Sequence, residues 1–217
     1  IPLQMLLRDP DEGILYVFYD DNQRLYVRDS GFPIQQHPYL LTVNCRNTQN
    51  IHRTVMKFYD AEVSPSARGP LGREVEVISY EGPQNLQSTL RDILRRLTMD
   101  EQIPTDEIAV LTPRGRSRDR LLDASIGAEP RLTDASPPPS GQVYCNTVYD
   151  FKGLERAVVV LADIRRWPTE WDEMIQLLYV GCSRARNHLI VLLDQNAPTR
   201  VRRAFTMARH QNGASEG

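Results

Sequence analysis

Several features that would identify a particular kind of protein are scarce or missing in this sequence. The chain has three cysteines and four histidines in 217 residues, all widely spaced and without a Cys-x-x-Cys pair. Their odd number and spacing argue against a disulfide framework or a zinc site. No Ser-centred nucleophile elbow is present either. We therefore expect no metal site and no histidine-based catalysis.

Long apolar runs and an excess of charge of one sign are also missing. No run approaches the roughly 18 residues of a membrane span, and no signal peptide is visible. The formal net charge is −2, so no overall basic field indicates a nucleic-acid partner. We expect a cytoplasmic protein that does not bind membranes. Because the chain begins at Ile1 in the middle of a pattern, we also expect a fragment of a longer protein.

Lysine is the scarcest of the charged residues. Only Lys57 and Lys152 are lysines among the 26 basic residues, so nearly all positive charge is carried by arginine. Genome composition is the simpler explanation for this surplus. Arginine is also the residue that best contacts phosphate through two parallel hydrogen bonds.

Hydrophobic patterning predicts strands that alternate with helices. Because the strands are apolar throughout, we predict an α/β fold with a mainly parallel sheet and helices on both faces. Residues 64–72 and the proline-rich stretch 133–141 are typical of loops. The predicted strands are 14–19, 39–43, 75–79, 108–112, 143–148, 157–163 and 188–193, and the predicted helices are 48–59, 86–97, 118–126, 171–184 and 199–208.

Two polar segments lie beside the last buried strands. In Lys152-Gly153-Leu154-Glu155, the lysine could approach a phosphate, the glycine admits a nearby backbone, and the glutamate could accept a hydrogen bond from a sugar hydroxyl. An exposed turn is the simpler alternative. Arg184, in Ser183-Arg184-Ala185-Arg186, could complement the helix dipole or act as an arginine finger on a phosphoryl group.

Three further segments follow predicted strands. Gln23, in a loop after the first strand, could orient a water or sense a γ-phosphate, although a polar turn would look the same. Arg46 stands at the entry to a predicted helix. Arg114 and Arg116 lie in a loop with a local density of arginine, which is suited to nucleic-acid phosphates.

The order of these segments resembles the motif series of superfamily 1 DNA helicases of the UvrD/Rep kind. The resemblance spans roughly residues 14–193, and its last two motifs are the specific ones. It implies a second RecA-like motor lobe of the P-loop NTPase type at 39–195, preceded at 1–38 by the end of the first lobe and a connector, and followed at 196–217 by a helix and a frayed tail. The segments are Asp-x-Asn-Gln23, Asn44-x-Arg46-Asn-Thr, Ala109-Val-Leu-Thr-x-Arg114, Thr147 to Glu155, and Tyr179-Val-Gly-x-Ser-Arg-Ala185.

The resemblance also implies roles for individual residues. Arg46 and Arg184 would reach the γ-phosphate of ATP, Gln23 would couple that phosphate to the DNA site, and Glu155 would lie near the nucleotide sugar beside Lys152 and Gly153. The residues expected to contact single-stranded DNA are Thr147, Tyr149, Arg114 and Arg116. Tyr149 replaces a histidine that is common in the family, and an aromatic ring there could stack on a base.

One expected part of such a motor is missing from the sequence. No Gly-x-x-x-x-Gly-Lys-Ser/Thr loop occurs, so nothing here cradles the β- and γ-phosphates. By the resemblance, ATP and Mg²⁺ are bound mainly by an N-terminal motor lobe of the same protein. We therefore predict that this fragment alone does not hydrolyse ATP.

Three readings of function remain open from the sequence. The first is the C-terminal lobe of an ATP-dependent DNA helicase, for example in DNA repair, acting on single-stranded or partly duplex DNA. The second is a nucleic-acid-binding module that kept the fold and lost catalysis. The third is a protein-interaction domain with a RecA-like core.

Overall fold

A computed structural model of the chain describes residues 39–60, 63–125, 127–165 and 171–206. Within these ranges the regular elements are eight strands and five α-helices. The strands are β1 (Val43–Asn44), β2 (Ser66–Ala67), β3 (Glu76–Tyr80), β4 (Ile108–Thr112), β5 (Leu132–Thr133), β6 (Val143–Thr147), β7 (Arg156–Ile164) and β8 (Ala185–Asp194). The helices are α1 (Gln49–Val55), α2 (Gly82–Arg95), α3 (Gly115–Ala124), α4 (Trp171–Ser183) and α5 (Thr199–Thr206).

Six of the strands form one parallel sheet in the order β3-β8-β7-β4-β6-β5. The central strands β4, β7 and β8 are buried along most of their length, because helices cover both faces of the sheet. The predicted α/β class and mainly parallel sheet are confirmed.

The core consists of two apolar layers, one on each face of the sheet. Ala109 and Leu111 of β4 pack in the layer formed with α1, α4 and α5. Their neighbours Ile108 and Val110 pack in the other layer, with α2 and α3. This alternation follows from the two-residue repeat of a strand, and it explains why a strand buried on both faces is apolar at every position.

The predicted strand at residues 39–43 is wrong in extent and in its surroundings. Only Val43 and Asn44 pair, in parallel, with Ser66 and Ala67 of β2, which lie in a segment predicted to be a loop. Tyr39 and the two leucines after it are exposed. The apolar run suggested burial, but the ladder stops after two residues and lies outside the main sheet.

Two helices begin earlier than their apolar pattern indicates. Helix α2 begins at Gly82, with Pro83 in its first turn, and continues as a π-helical turn at Arg96–Asp100. Helix α3 begins at Gly115, where the Arg114 carbonyl accepts hydrogen bonds from the Ser117 and Arg118 amides. Proline is favoured in a first turn, because its missing N–H has no partner there in any case.

Parts of the predicted domain plan lie outside the described residues. These are the strand at 14–19, Gln23, the whole of 1–38 and the tail 207–217. Helix α5 lies where a C-terminal helix was predicted. None of the helices in the described ranges is both long enough and apolar enough to span a membrane.

Candidate functional site

Charged side chains converge at the edge of the sheet where β4, β7 and β8 begin. The Arg46 Nε atom lies 2.8 Å from Glu155 Oε2, and the Arg186 Nε atom lies 4.0 Å from Glu155 Oε1. Arg186 also reaches Glu107, with 2.8 Å between Nη2 and Oε2. We call Arg46, Glu155, Arg186 and Glu107 the arginine–glutamate cluster. All four side chains are partly exposed, so each pair contributes at most about 1 kcal/mol to stability.

Asn47 holds the cluster's two arginine segments together. Its Nδ2 atom donates to the Ser183 carbonyl at 3.0 Å and to the Ala185 carbonyl at 2.6 Å. Next to it, the Thr48 amide donates to the Arg186 carbonyl at 3.2 Å. Arg46 is therefore fixed beside the end of α4 by buried hydrogen bonds that span more than a hundred residues of sequence.

Asn44 shapes the turn from which Asn47 and Arg46 project. Its Oδ1 atom accepts hydrogen bonds from the Arg46 amide at 2.9 Å and the Asn47 amide at 3.2 Å. A short side chain that bonds to the backbone two or three residues later is typical of an Asx turn. Sequence reasoning included both asparagines in the motif but assigned neither a role.

Arg184 lies in the same region, but its side chain is buried and only 2% exposed. The guanidinium donates to the Val180 carbonyl at 3.1 Å, to the Ser183 hydroxyl at 3.0 Å and to the Leu154 carbonyl at 3.4 Å. A buried guanidinium requires such acceptors, since burying an unpaired charge is costly. In this conformation Arg184 braces the end of α4 against the segment that precedes Glu155. Its role as a finger stays a prediction.

The segment from Val148 to Glu155 connects the two edges of the sheet. It leaves the carboxyl end of β6 and enters the amino end of β7, and the fully buried Phe151 anchors it. Gly153 has φ of +90°, while no atom lies within 4 Å of where a Cβ would stand. The backbone conformation therefore favours glycine here, although there is space for a side chain. Lys152, beside it, is exposed.

Arg114, Thr147 and Tyr149 lie at the opposite edge, where β4 and β6 end. The Thr147 hydroxyl donates to Asp150 Oδ2 at 2.6 Å and accepts from the Asp150 amide at 3.1 Å, which closes the turn after β6. Thr147 is nearly buried. Tyr149 and Arg114 are exposed to a greater degree and face one another across a shared carboxylate.

That carboxylate is Glu173, in the first turn of α4, which sequence reasoning missed. The Tyr149 hydroxyl donates to Glu173 Oε1 at 2.9 Å, and Arg114 Nη2 lies 3.8 Å from the same oxygen. The signal available in the sequence was an acidic pair at a helix start, which usually serves the helix dipole alone. Arg116 stands apart, since no carboxylate of the described residues lies within salt-bridge distance of it.

A buried carboxylate fixes the first turns of α3 behind this edge. Asp163, at the end of β7, has φ of +60° and is 4% exposed. It accepts hydrogen bonds from the Tyr80 hydroxyl at 2.8 Å, from Arg120 Nη2 at 3.2 Å and from the Ser117 hydroxyl. Through Ser117 and Arg120 it holds the helix that follows Arg114, and sequence reasoning did not single it out.

Burial shifts the pKa values of the buried cysteines and histidines in the direction that favours their neutral forms. Burial raises the pKa of the Cys145 thiol to about 12 and raises that of Cys182 further. Burial likewise lowers the pKa of His188, although Glu76 nearby opposes the shift. These thiols are therefore poor nucleophiles. Among the described residues, no group of three or more His, Cys, Asp or Glu side chains could hold a metal ion.

One region of the chain is similar to a known protein family. Residues 142–192 match the family model described as the UvrD-like helicase C-terminal domain. They contain the segment that links the two edges, helix α4 and most of β8. No curated protein matches the chain.

Among solved structures, the chain resembles the C-terminal domain of a possible DNA helicase from Lactobacillus plantarum WCFS1. The TM-score is 0.59 at 20% identity, over 74% of this chain and 93% of that one. The PRRSV helicase, at 18% identity, is covered over 24% of its length with a TM-score of 0.36. The Hef helicase domain of Pyrococcus furiosus, at 16% identity, is covered over 28% with a TM-score of 0.38. The last two scores are too low to support an argument.

The first likeness shows a shared fold, and the family model matches the part of the chain that carries the two most specific motifs. Residues 142–192 are therefore similar to the UvrD-like helicase C-terminal domain, and the chain shares its fold with the C-terminal domain of a possible DNA helicase.

Proposed function

We propose that this chain is the C-terminal motor lobe of an ATP-dependent DNA helicase or translocase. The observation that carries the proposal is the convergence of Arg46, Glu155 and Arg186 at one sheet edge, held by Asn47. Three motif segments that are distant in sequence meet there. The fold alone does not require charged side chains at that edge of the sheet.

The arginine–glutamate cluster suits one side of a nucleotide site. Arg46 and Arg186 are partly exposed guanidinium groups that share a single carboxylate, and each could exchange that carboxylate for a phosphate oxygen. Glu155 would then be available to accept a hydrogen bond from a sugar hydroxyl. Lys152 and Gly153 lie in the exposed turn just before it. These residues suit the side of an ATP site that lies opposite a phosphate-binding loop. They do not form such a loop themselves.

Arg184 is buried, whereas Arg46 is partly exposed. To reach a γ-phosphate, its guanidinium would leave the Val180 and Leu154 carbonyls and the Ser183 hydroxyl. We propose that closure of the two lobes over ATP drives this change, with Gln23 coupling it to the DNA site. ATP would supply the phosphoryl group whose hydrolysis resets the lobes. Mg²⁺ would be held mainly by the N-terminal motor lobe of the same protein.

The opposite edge suits single-stranded or partly duplex DNA. Arg114 and Arg116 carry exposed positive charge at the start of α3, and Tyr149 offers a ring for base stacking beside Thr147. The segment from Val148 to Glu155 runs from this edge to the arginine–glutamate cluster. A shift of that segment on closure would change both edges together, which is how nucleotide turnover could alter the grip on DNA.

A nucleic-acid-binding module without catalysis is the second candidate. It is favoured by the burial of Arg184, whose three described hydrogen bonds are all made within the lobe. In that case the arginine would be structural and the DNA edge would act alone. We further propose a role in DNA repair, from the resemblance, and a cytoplasmic location, from the three widely spaced cysteines.

Two variant pairs in the full-length protein test the main proposal. Arg46→Ala should cut DNA-stimulated ATP turnover by about tenfold or more, because a charged contact to the transferring phosphate is lost. Arg53→Ala, an exposed change on α1, should leave turnover unchanged. Arg114→Ala should weaken single-strand binding and reduce its salt dependence, while the exposed Arg91→Ala on α2 should not. Equal behaviour within each pair would overturn the assignment.

A further inference from the structure

Glu173 is a negative charge in the middle of the proposed DNA edge. Its carboxylate accepts the hydroxyl hydrogen bond of Tyr149 at 2.9 Å and lies 3.8 Å from the guanidinium of Arg114. Glu173 and Arg114 are 42% and 47% exposed, so both remain accessible from solvent. One acidic residue of the same lobe, Glu173, therefore contacts both Arg114 and Tyr149, which are two of the side chains proposed to contact DNA.

Helix stability alone does not account for this acid. Asp172 and Glu173 both lie in the first turn of α4, where either carboxylate is favoured by the helix dipole. Asp172 supplies that interaction from an exposed position, and no hydrogen bond or ion pair of its side chain is seen among the described residues. Glu173, in contrast, contacts residues that follow β4 and β6. Its distinctive feature is the pair of side chains that it engages.

We propose that Glu173 occupies the place of a DNA phosphate and competes with the strand for Arg114, thereby setting how tightly the lobe grips a single strand. This inference rests on the proposed function of the DNA edge. In the unbound lobe, Glu173 holds Arg114 and Tyr149 in position. A backbone phosphate must displace the carboxylate from Arg114, and the strand gains less free energy than an unengaged arginine would provide. A moderate affinity for DNA suits a motor that must release the strand in every cycle.

Glu173→Gln isolates the charge, because glutamine keeps an oxygen that can accept the Tyr149 hydrogen bond. Binding of a fluorescent oligo-dT to the full-length protein would be followed by anisotropy over a series of salt concentrations. We expect affinity to rise by about twofold to fivefold, because an exposed ion pair no longer has to be broken. The slope of log K against log salt should change by less than about 0.7, the value for one phosphate contact on a single strand, because Arg114 contacts the phosphate in both proteins.

Asp172→Asn is the matched control, since it removes the same charge from the same helical turn. Its effect on affinity should be less than about twofold and its salt slope unchanged, because Asp172 does not engage Arg114. The gain from Glu173→Gln should also disappear in an Arg114→Ala background, as expected if the two residues are coupled. A gain that persists in that background, or that Asp172→Asn reproduces, would show a general charge effect and overturn the inference.

The remaining outcomes separate this inference from the proposed function. If Arg114→Ala loses binding while Glu173→Gln leaves it unchanged or weaker, the inference is wrong and the DNA edge stands. If neither the wild type nor any variant binds oligo-dT, the proposed function of this edge is wrong and the inference is wrong with it. Thermal unfolding of each variant checks the fold. Glu173→Ala, which should give at least the same gain, serves if the glutamine variant is unstable.

Discussion

Replacing Asn47 with alanine should destabilise the protein more than its position in a short turn would suggest. The side chain is 3% exposed and donates two hydrogen bonds, at 3.0 and 2.6 Å, to the Ser183 and Ala185 carbonyls. Each such bond contributes about 1 kcal/mol net, and a buried acceptor left without a donor adds about 1–3 kcal/mol. We expect a total loss of about 3–5 kcal/mol in the free energy of unfolding, for two bonds and one acceptor left without a donor.

Urea unfolding at equilibrium measures this loss. With a slope of about 2 kcal/mol per molar urea, the midpoint should fall by about 1.5–2.5 M. Asn187→Ala, an exposed asparagine on the adjacent strand β8, is the matched control and should stay within about 0.5 kcal/mol of the wild type. If Asn47→Ala matched Asn187→Ala, the proposal that Asn47 joins the arginine segments would be refuted.

Three further predictions test the site and its support. Gly153→Ala should cost about 1 kcal/mol in thermal unfolding, because φ of +90° strains any side chain although the space is open. Gly69→Ala should cost about 1–3 kcal/mol, because its Cβ would stand 2.4 Å from the Asn47 carbonyl oxygen and must displace that turn. Stability should fall as pH drops below 6.5, because burial lowers the pKa of His188 and of His52 and the unfolded chain takes up protons first. Each histidine contributes at most about 1.4 kcal/mol per pH unit, and His188→Gln should flatten the slope measured by urea unfolding at several pH values.

The sheet could be predicted well from the sequence because its central strands are buried on both faces. Strand β4 was predicted from Ile108 to Thr112, as observed, since five buried positions in a row leave little choice. The short pairing of Val43 with Ser66 was missed, because a two-residue ladder between distant segments has no periodic signal. The predicted helix starts lay after the observed ones where glycine and proline precede the first apolar residue, as in α2.

The site was predictable in its members but not in its contacts. Arg46 and Glu155 were singled out through the resemblance, and the structure brings them to 2.8 Å. Asn47 and Glu173 act through partners 138 and 24 residues away, which no local pattern reveals. The burial of Arg184 was equally invisible, because an arginine at a helix end is usually exposed.

ATP turnover by the full-length protein, with and without single-stranded DNA, distinguishes a motor lobe from a binding module. We expect strong stimulation by DNA that is lost in Arg46→Ala, whose side chain is partly exposed and can be removed without opening the core. Arg184→Lys should lose it as well, since an ammonium cannot replace the guanidinium's fork of donors. Turnover that is absent in the wild type, or unaffected by both changes, would contradict the proposed motor function and favour a binding module without catalysis.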